Sequence, residues 1–380
     1  MKFRKVFLSV FVFLFVFSFV FAKELFANCD IQGRYKGVIT DTEEVECEGV
    51  EDGTCITYSV DILEGEMDGD GDEESEKDME GESITVNSVP TAFGYSTYDI
   101  GDKVYITGIC GAGDEVIWGI EAHSRESSIF LMVVLFVLIV FLVSGKKGLG
   151  SVLGLLVSFL IIYLVMVPLS IKTGHVLLWG LISVVLVLTI SIYLSHGFNK
   201  KSSIALICTV IGLAIVSILA AIFMHSTKLT GFGNEEMYML LSQLGTPIPV
   251  KEILFIGILI SGIGVLDDVT VSQVGTVIEL SKANPKMGTV ELFKSSMNIG
   301  RDHIASMVNT LFIAYAGSSL SLIMLMNANG TSWYEILNTE FFAEEIVRSV
   351  ISSMGLVLIV PITAYISSMI VPQLITEKKI

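Results

Sequence analysis

Two adjacent acids, Asp267 and Asp268, follow the apolar run 253–266, and Arg301, Asp302 and His303 stand at the head of the next apolar run, 304–326. Carboxylates that end or interrupt a membrane helix are expensive in lipid, so they belong against a cavity, a partner or the cytoplasmic boundary. Two carboxyls in contact cannot both ionise cheaply in low dielectric, so one of them can load and release a proton. Arg301, or Lys294, is the candidate counter-ion for the other, and Asn309 and Thr310 are candidate polar partners from the following helix. His303 suits a proton relay near neutral pH. Beside Arg301 at a membrane boundary it equally suits a solvated helix start.

The elements that must position these groups are helices. Asp268, Ser272, Thr276 and Glu279 recur on one helical face with Gln273 beside them, whereas Val271, Val274 and Ile278 are apolar. The pattern predicts one continuous helix over about 251–281 with a polar stripe on its inner half. That stripe reads either as a wet path or as an amphipathic cytoplasmic extension. Counted from Ile253, Asp267 lies about 21 Å along the helix, in the inner third of a hydrocarbon layer about 30 Å thick. Gly257, Ser261, Gly262 and Gly264 place small residues where helices can approach closely.

Composition sets the same frame. Of 380 residues 52% are hydrophobic, and the mean hydropathy is +0.72, which marks an integral membrane protein. Seven apolar runs of spanning length follow Ser127: 129–143, 149–171, 176–194, 204–224, 253–271, 304–326 and 346–371. With the preceding domain outside, ten Lys and Arg (Lys146, Lys147, Lys200, Lys201, Lys282, Lys286, Lys294, Arg301, Lys378, Lys379) fall on the cytoplasmic side. Four (Lys172, Lys228, Lys251, Arg348) fall outside, as the positive-inside rule requires. The acidic and aromatic loop 327–345 suits an interfacial element, and Pro247 and Pro249 suit the start of a helix.

The formal charge of -17 is concentrated in residues 23–127, which hold 27 acids against 6 bases. No basic surface is present to neutralise phosphates, so nucleic acid is excluded as a partner. Residues 1–27 carry Lys2, Arg4 and Lys5 before an apolar run and read as a signal peptide or an N-terminal anchor. Residues 28–126 form an extracytoplasmic acidic domain, and 127–380 the multi-spanning domain. In the outer domain, residues 36–40, 55–63, 83–89 and 103–109 alternate with the period of half-buried strands, with Gly101-Asp102 as a turn. A small all-β, OB-like barrel is the expected fold, with a small sandwich as the alternative.

Cys29, Cys47, Cys55 and Cys110 lie in this exported domain and suit two disulfides, for example Cys47 to Cys55 and Cys29 to Cys110. Free thiols are the alternative. Asp68, Asp70 and Asp72 fit the first three positions of a calcium loop. Its glycine position is Glu73 and its last position Met79, so a solvated acidic loop is the default reading. No metal-ligand cluster, nucleotide-binding loop or nucleophile triad is apparent, and no cofactor is expected.

The residues Gly264-Val265-Leu266-Asp267-Asp268-Val269-Thr270-Val271-Ser272-Gln273, with Asn298-Ile299-Gly300-Arg301-Asp302-His303-Ile304 and Asn309-Thr310-Leu311, resemble the YibE/F family of bacterial membrane proteins. The resemblance covers the whole layout and implies a bacterial plasma-membrane location, without an established activity. The central helix is also similar, more distantly, to that of resistance-nodulation-division exporters and the SecD/SecF translocation subunits. There a glycine-then-acid helix and an amphipathic linker carry a proton current. Gly264 precedes the first acid by three residues, where the exporter pattern has four, and the paired large porter domains are missing.

Three functions follow. The first is a proton- or ion-coupled transporter, or an energised export auxiliary, acting in the lipid bilayer on an unknown substrate or partner protein. The second is a non-catalytic scaffold whose outer domain binds partners, as a homo-oligomer or in a larger assembly. The third, an intramembrane aspartyl protease using Asp268 and Asp302, lacks the Gly-x-Gly-Asp pattern, because Val265 follows Gly264. The expectation is therefore a protein that is not an enzyme.

Overall fold

The computed structural model describes residues 34–46, 54–66, 81–88, 98–110, 116–245 and 248–376. The expected signal or anchor segment, the calcium candidates Asp68, Asp70 and Asp72, and Cys29 and Cys47 lie outside these residues. Cys55 and Cys110 are placed by backbone alone, in β2 and β4. The chain divides into two compact units, one reaching Ile139 and the other beginning at Val140.

Among the described residues, the first unit is built on five antiparallel strands. They are β1 (Arg34–Glu46), β2 (Thr54–Glu66), β3 (Ser83–Ser88), β4 (Lys103–Cys110) and β5 (Val116–His123). Their order in the sheet is β3-β2-β1-β4-β5, and β3 and β5 also approach each other. Alternate residues fill the core: Tyr58, Val60 and Ile62 of β2, Ile84 and Val86 of β3, and Val104 and Ile106 of β4. The central strand β1 shifts register between Lys36 and Gly37 and again between Ile39 and Asp41, which bends it. Gly37 is needed there, because a Cβ would strike the Val60 side chain and come within 2.9 Å of the Asp61 carbonyl. The expected turn is present. Gly101 has φ +96°, its N–H donates to the Ile39 carbonyl at 2.8 Å, and Ile39 N–H donates to Asp102 O at 3.0 Å.

β5 was not expected from the sequence. Val116, Ile117 and Trp118 are consecutive apolar residues followed by Gly119, and β4 slips register between Tyr105 and Ile106 opposite it, so the two-residue period is broken. Past β5, helix α1 (Glu126–Ile161) begins. Its first carboxylate accepts from Lys36 Nζ of β1 at 3.4 Å and from the Tyr105 hydroxyl of β4 and the Ser124 hydroxyl. The helix start is thereby bonded to two strands.

The second unit is a helical bundle. α1 breaks at Gly145 (φ 59°, ψ -142°) and continues through a π-helical turn, Ile162–Met166, into α2 (Val167–Thr173). Then come α3 (Val176–His196), α4 (Lys200–Ser226), α5 (Glu235–Leu244), α6 (Val250–Ala283) and α7 (Thr289–Ser318). The last are α8 (Leu320–Ala328), bent 58° from α7, α9 (Trp333–Asn338) and α10 (Glu340–Thr376). Among the described residues, five helical stretches are long and apolar enough to cross a membrane, or six with α7 and α8 taken as one bent span. The molecule is a membrane protein. The first two expected runs share one stretch of 48 residues, Glu126–Thr173, which would measure about 72 Å if straight. Gly145 lies between them.

α6 is the centre of the bundle and packs against α3, α4, α7 and α10. Small residues permit the approach, since lipid tails provide no hydrophobic drive between helices. A Cβ on Gly212 of α4 would lie 3.0 Å from Ile359 of α10, and one on Gly262 of α6 would lie 3.3 Å from Val216 of α4. Of the glycines expected to pack on α6, only Gly262 does so. Gly257 and Gly264 have nothing within 4 Å of a Cβ.

These spacings predict opposite outcomes for two glycine substitutions, read as melting temperatures in detergent. A Cβ at Gly150 of α1 would lie 2.6 Å from the Leu194 carbonyl of α3, a backbone atom that cannot turn aside. Gly150→Val should therefore lower stability by about 1–3 kcal/mol, the usual cost of overpacking. Gly257→Ala meets open space inside a helix and should raise stability by up to about 1 kcal/mol.

Candidate functional site

The site lies halfway along α6, whose 34 residues run unbroken from Val250 to Ala283. Successive helical residues point about 100° apart, so the two acids meet different neighbours, while the charge of Asp268 still acts on Asp267. Asp267 turns into the bundle and Asp268 turns outward, where it is exposed. The expected carboxyl pair thus interacts electrostatically, with each member facing different partners.

Asp267 meets α3. Ser191 Oγ donates to Asp267 Oδ2 at 3.0 Å, while Oδ1 is buried with no hydrogen-bond partner. Next to it, Thr270 Oγ1 of α6 lies 3.1 Å from the Asp267 carbonyl and 2.6 Å from Thr209 Oγ1 of α4. Thr209 Oγ1 in turn lies 2.9 Å from the Ala205 carbonyl. Two hydroxyl protons thus have three bonds to serve, and the chain of donors has two alternative settings. Both threonines are fully buried.

Asp268 interacts electrostatically with His196, the last residue of α3, and with His303 of α7. His196 in turn interacts with Lys201 and Lys147. The expected counter-ion Arg301 does not stand there. It is exposed on α7 and forms no ion pair with either acid among the described residues, because its position on the helix points it away from α6. Lys294 is likewise exposed. Two histidines, and not an arginine, face Asp268.

Asn309 and Thr310 also turn away from the aspartates and are exposed. Thr310 Oγ1 donates back to the Ser306 carbonyl at 3.0 Å. Asp302 is on the same outward side, so it is not grouped with Asp268. Of the stripe, Ser272 and Glu279 are exposed and Thr276 is half-buried. Thr276 Oγ1 donates to the Ser272 carbonyl at 3.1 Å, and Glu279 pairs with Lys282 at 3.6 Å. Gln273 departs from the stripe. It is buried, its Nε2 donates to the Ser296 carbonyl of α7 at 3.1 Å, and a Cβ on Gly300 would lie 3.2 Å from its Oε1. Gln273 therefore fastens α7 to α6, and a second bond joins Ser261 to the Tyr315 hydroxyl.

The family model described as YibE/F-like protein matches residues 132–373, well over half the chain. The chain belongs to the YibE/F-like family. The match takes in every residue of the site, from Ser191 to Thr310. No curated protein and no solved structure matches the chain.

Ser191, His196, Thr209 and Thr270 of this YibE/F-like site escaped the sequence reading. Ser191 is one hydroxyl in an apolar run, and only the packing of α3 against α6 sets it opposite Asp267. His196 carries a usable signal, since a histidine closing an apolar run ahead of Lys200 and Lys201 marks the level at which the helix leaves the bundle. The bond between Ser191 and Asp267 can be tested by its asymmetry. Ser191→Ala leaves a buried carboxylate oxygen unsatisfied and should cost about 1–3 kcal/mol. Adding Asp267→Leu removes the stranded group and should recover most of that loss, as read by thermal melting in the same detergent.

Proposed function

We propose that the chain is a proton- or ion-coupled transporter, or an export-associated membrane protein driven by such coupling, with Asp267 as the loading group. The observation that carries this reading is the buried, unpartnered Oδ1 of Asp267 inside a spanning helix. A carboxylate oxygen placed there requires a proton, a water or a cation to offset its burial. The coupled threonines Thr209 and Thr270 lie on the bundle side, and Asp268 with His196 and His303 lies on the exposed side toward the lysines. Together they would form a hand-over route from the inner face to Asp267.

The membrane arrangement we infer has seven spans, because the break at Gly145 divides the stretch Glu126–Thr173 in two and adds one to the six. The lysine distribution supports a cytoplasmic C-terminus, with the β domain outside a bacterial plasma membrane behind a signal peptide or anchor. The strand order β3-β2-β1-β4-β5, with β3 and β5 drawn together, supports an OB-like outer domain. A scaffold role for that domain is the second reading, favoured by the bonds from Lys36 and Tyr105 to Glu126 that order the end of the domain where α1 begins.

The test is proton flux into liposomes holding the purified full chain and a pH-sensitive dye, under an imposed proton gradient. Asp267→Asn should reduce flux at least tenfold, and Asp268→Asn should reduce it less. Equal flux in the wild type and the double variant Asp267→Asn, Asp268→Asn would sink the coupling reading and favour the scaffold.

A further inference from the structure

The outward face of α7 carries polar groups that the exposed face of α4 lacks. Between its two ends α4 exposes Ile207, Val210, Ala214, Ile218, Ala221 and Ile222, as suits contact with lipid. On α7 the middle of the exposed face runs Asp302, Asn309 and Ala316, seven residues apart, flanked by Ala305, Ser306, Phe312 and Ile313. A seven-residue repeat keeps one seam facing a neighbouring helix over several turns.

This face lies at membrane depth. α7 runs alongside α6 between two anchors, Ser296 bonded to Gln273 and Tyr315 bonded to Ser261, and Asn309 lies between them. α7 packs on α6 and α10 from its other side, and among the described residues nothing covers Asn309. Lipid offers an amide no hydrogen-bond partner.

We propose that this face of α7 is the interface at which two copies of the chain pair in the bilayer. The chemistry is self-complementary. A two-fold axis along the membrane normal sets each seam residue opposite its own counterpart, and the Asn309 amide carries both donor and acceptor, so it bonds to itself across the axis. Asp302 would meet a like charge there, but Arg301 on the same turn of each copy supplies the balancing positive charge. Ala305, Ser306 and Ala316 leave room on the seam into which Phe312 and Ile313 of the other copy can pack. The polar residues that the sequence assigned to the aspartates thus serve a second chain.

The experiment is oxidative cross-linking of the full-length chain in native membrane vesicles, comparing Ala305→Cys and Ala316→Cys with Ile218→Cys and with the unsubstituted chain. The expected result is a reducible product of twice the chain mass for Ala305→Cys and Ala316→Cys that neither control gives. Its absence, an equal yield from Ile218→Cys, or a product of another mass would overturn the proposal. In the last case the occupant is a different polypeptide. A second measurement is the monomer–dimer equilibrium in detergent, where Asn309→Leu should weaken association about tenfold. An unchanged constant would remove Asn309 from the interface.

Discussion

A carboxylate carried into the middle of a helical bundle constrains everything packed around it. α6 brings Asp267 inside, and in a setting without bulk water each polar atom there needs a partner supplied by protein. α3 therefore presents Ser191 to Oδ2, and α4 presents Thr209 to Thr270. These approaches are short, so the helices must come close. The small residues Gly212 and Gly262 stand where the three largest contributors to the core, α4, α6 and α10, converge.

The same constraint leaves one oxygen unsatisfied. The site thus combines a rigid half, the Ser191 bond, with an open half, Oδ1, and the threonine pair beside it has two settings for its protons. Groups of this kind respond to a proton or a cation with little movement of the backbone, and the coupling reading depends on that property. The outward Asp268 sits in a different medium with two histidines. Two carboxyls that are neighbours in sequence consequently meet different partners.

The outer unit depends on a different constraint, the bending of one sheet. Gly37 and the two register shifts of β1 let a single strand serve both β2 and β4. The turn at Gly101 then closes against Ile39 at the second shift. Lys36 and Tyr105, one from each of the strands so joined, reach the first carboxylate of α1. The sheet therefore holds the first residue of α1.

The amino-acid sequence by itself determined the elements. Apolar runs of spanning length, the two-residue period of four strands, the continuous helix through Asp267 and the family resemblance were all legible, because each is encoded by neighbours along the chain. The tertiary structure alone decided the partners. Helical rotation of about 100° per residue separated Asp267 from Asp268, and helix packing brought Ser191 and His196 to them from α3. The same packing turned Arg301, Asn309 and Thr310 to the opposite face of α7. β5 was hidden for a related reason: its apolar pattern is read against β4 across a register slip, not along its own length. Spacing within one helix tells which residues share a face, and only the packing of other helices tells what that face meets.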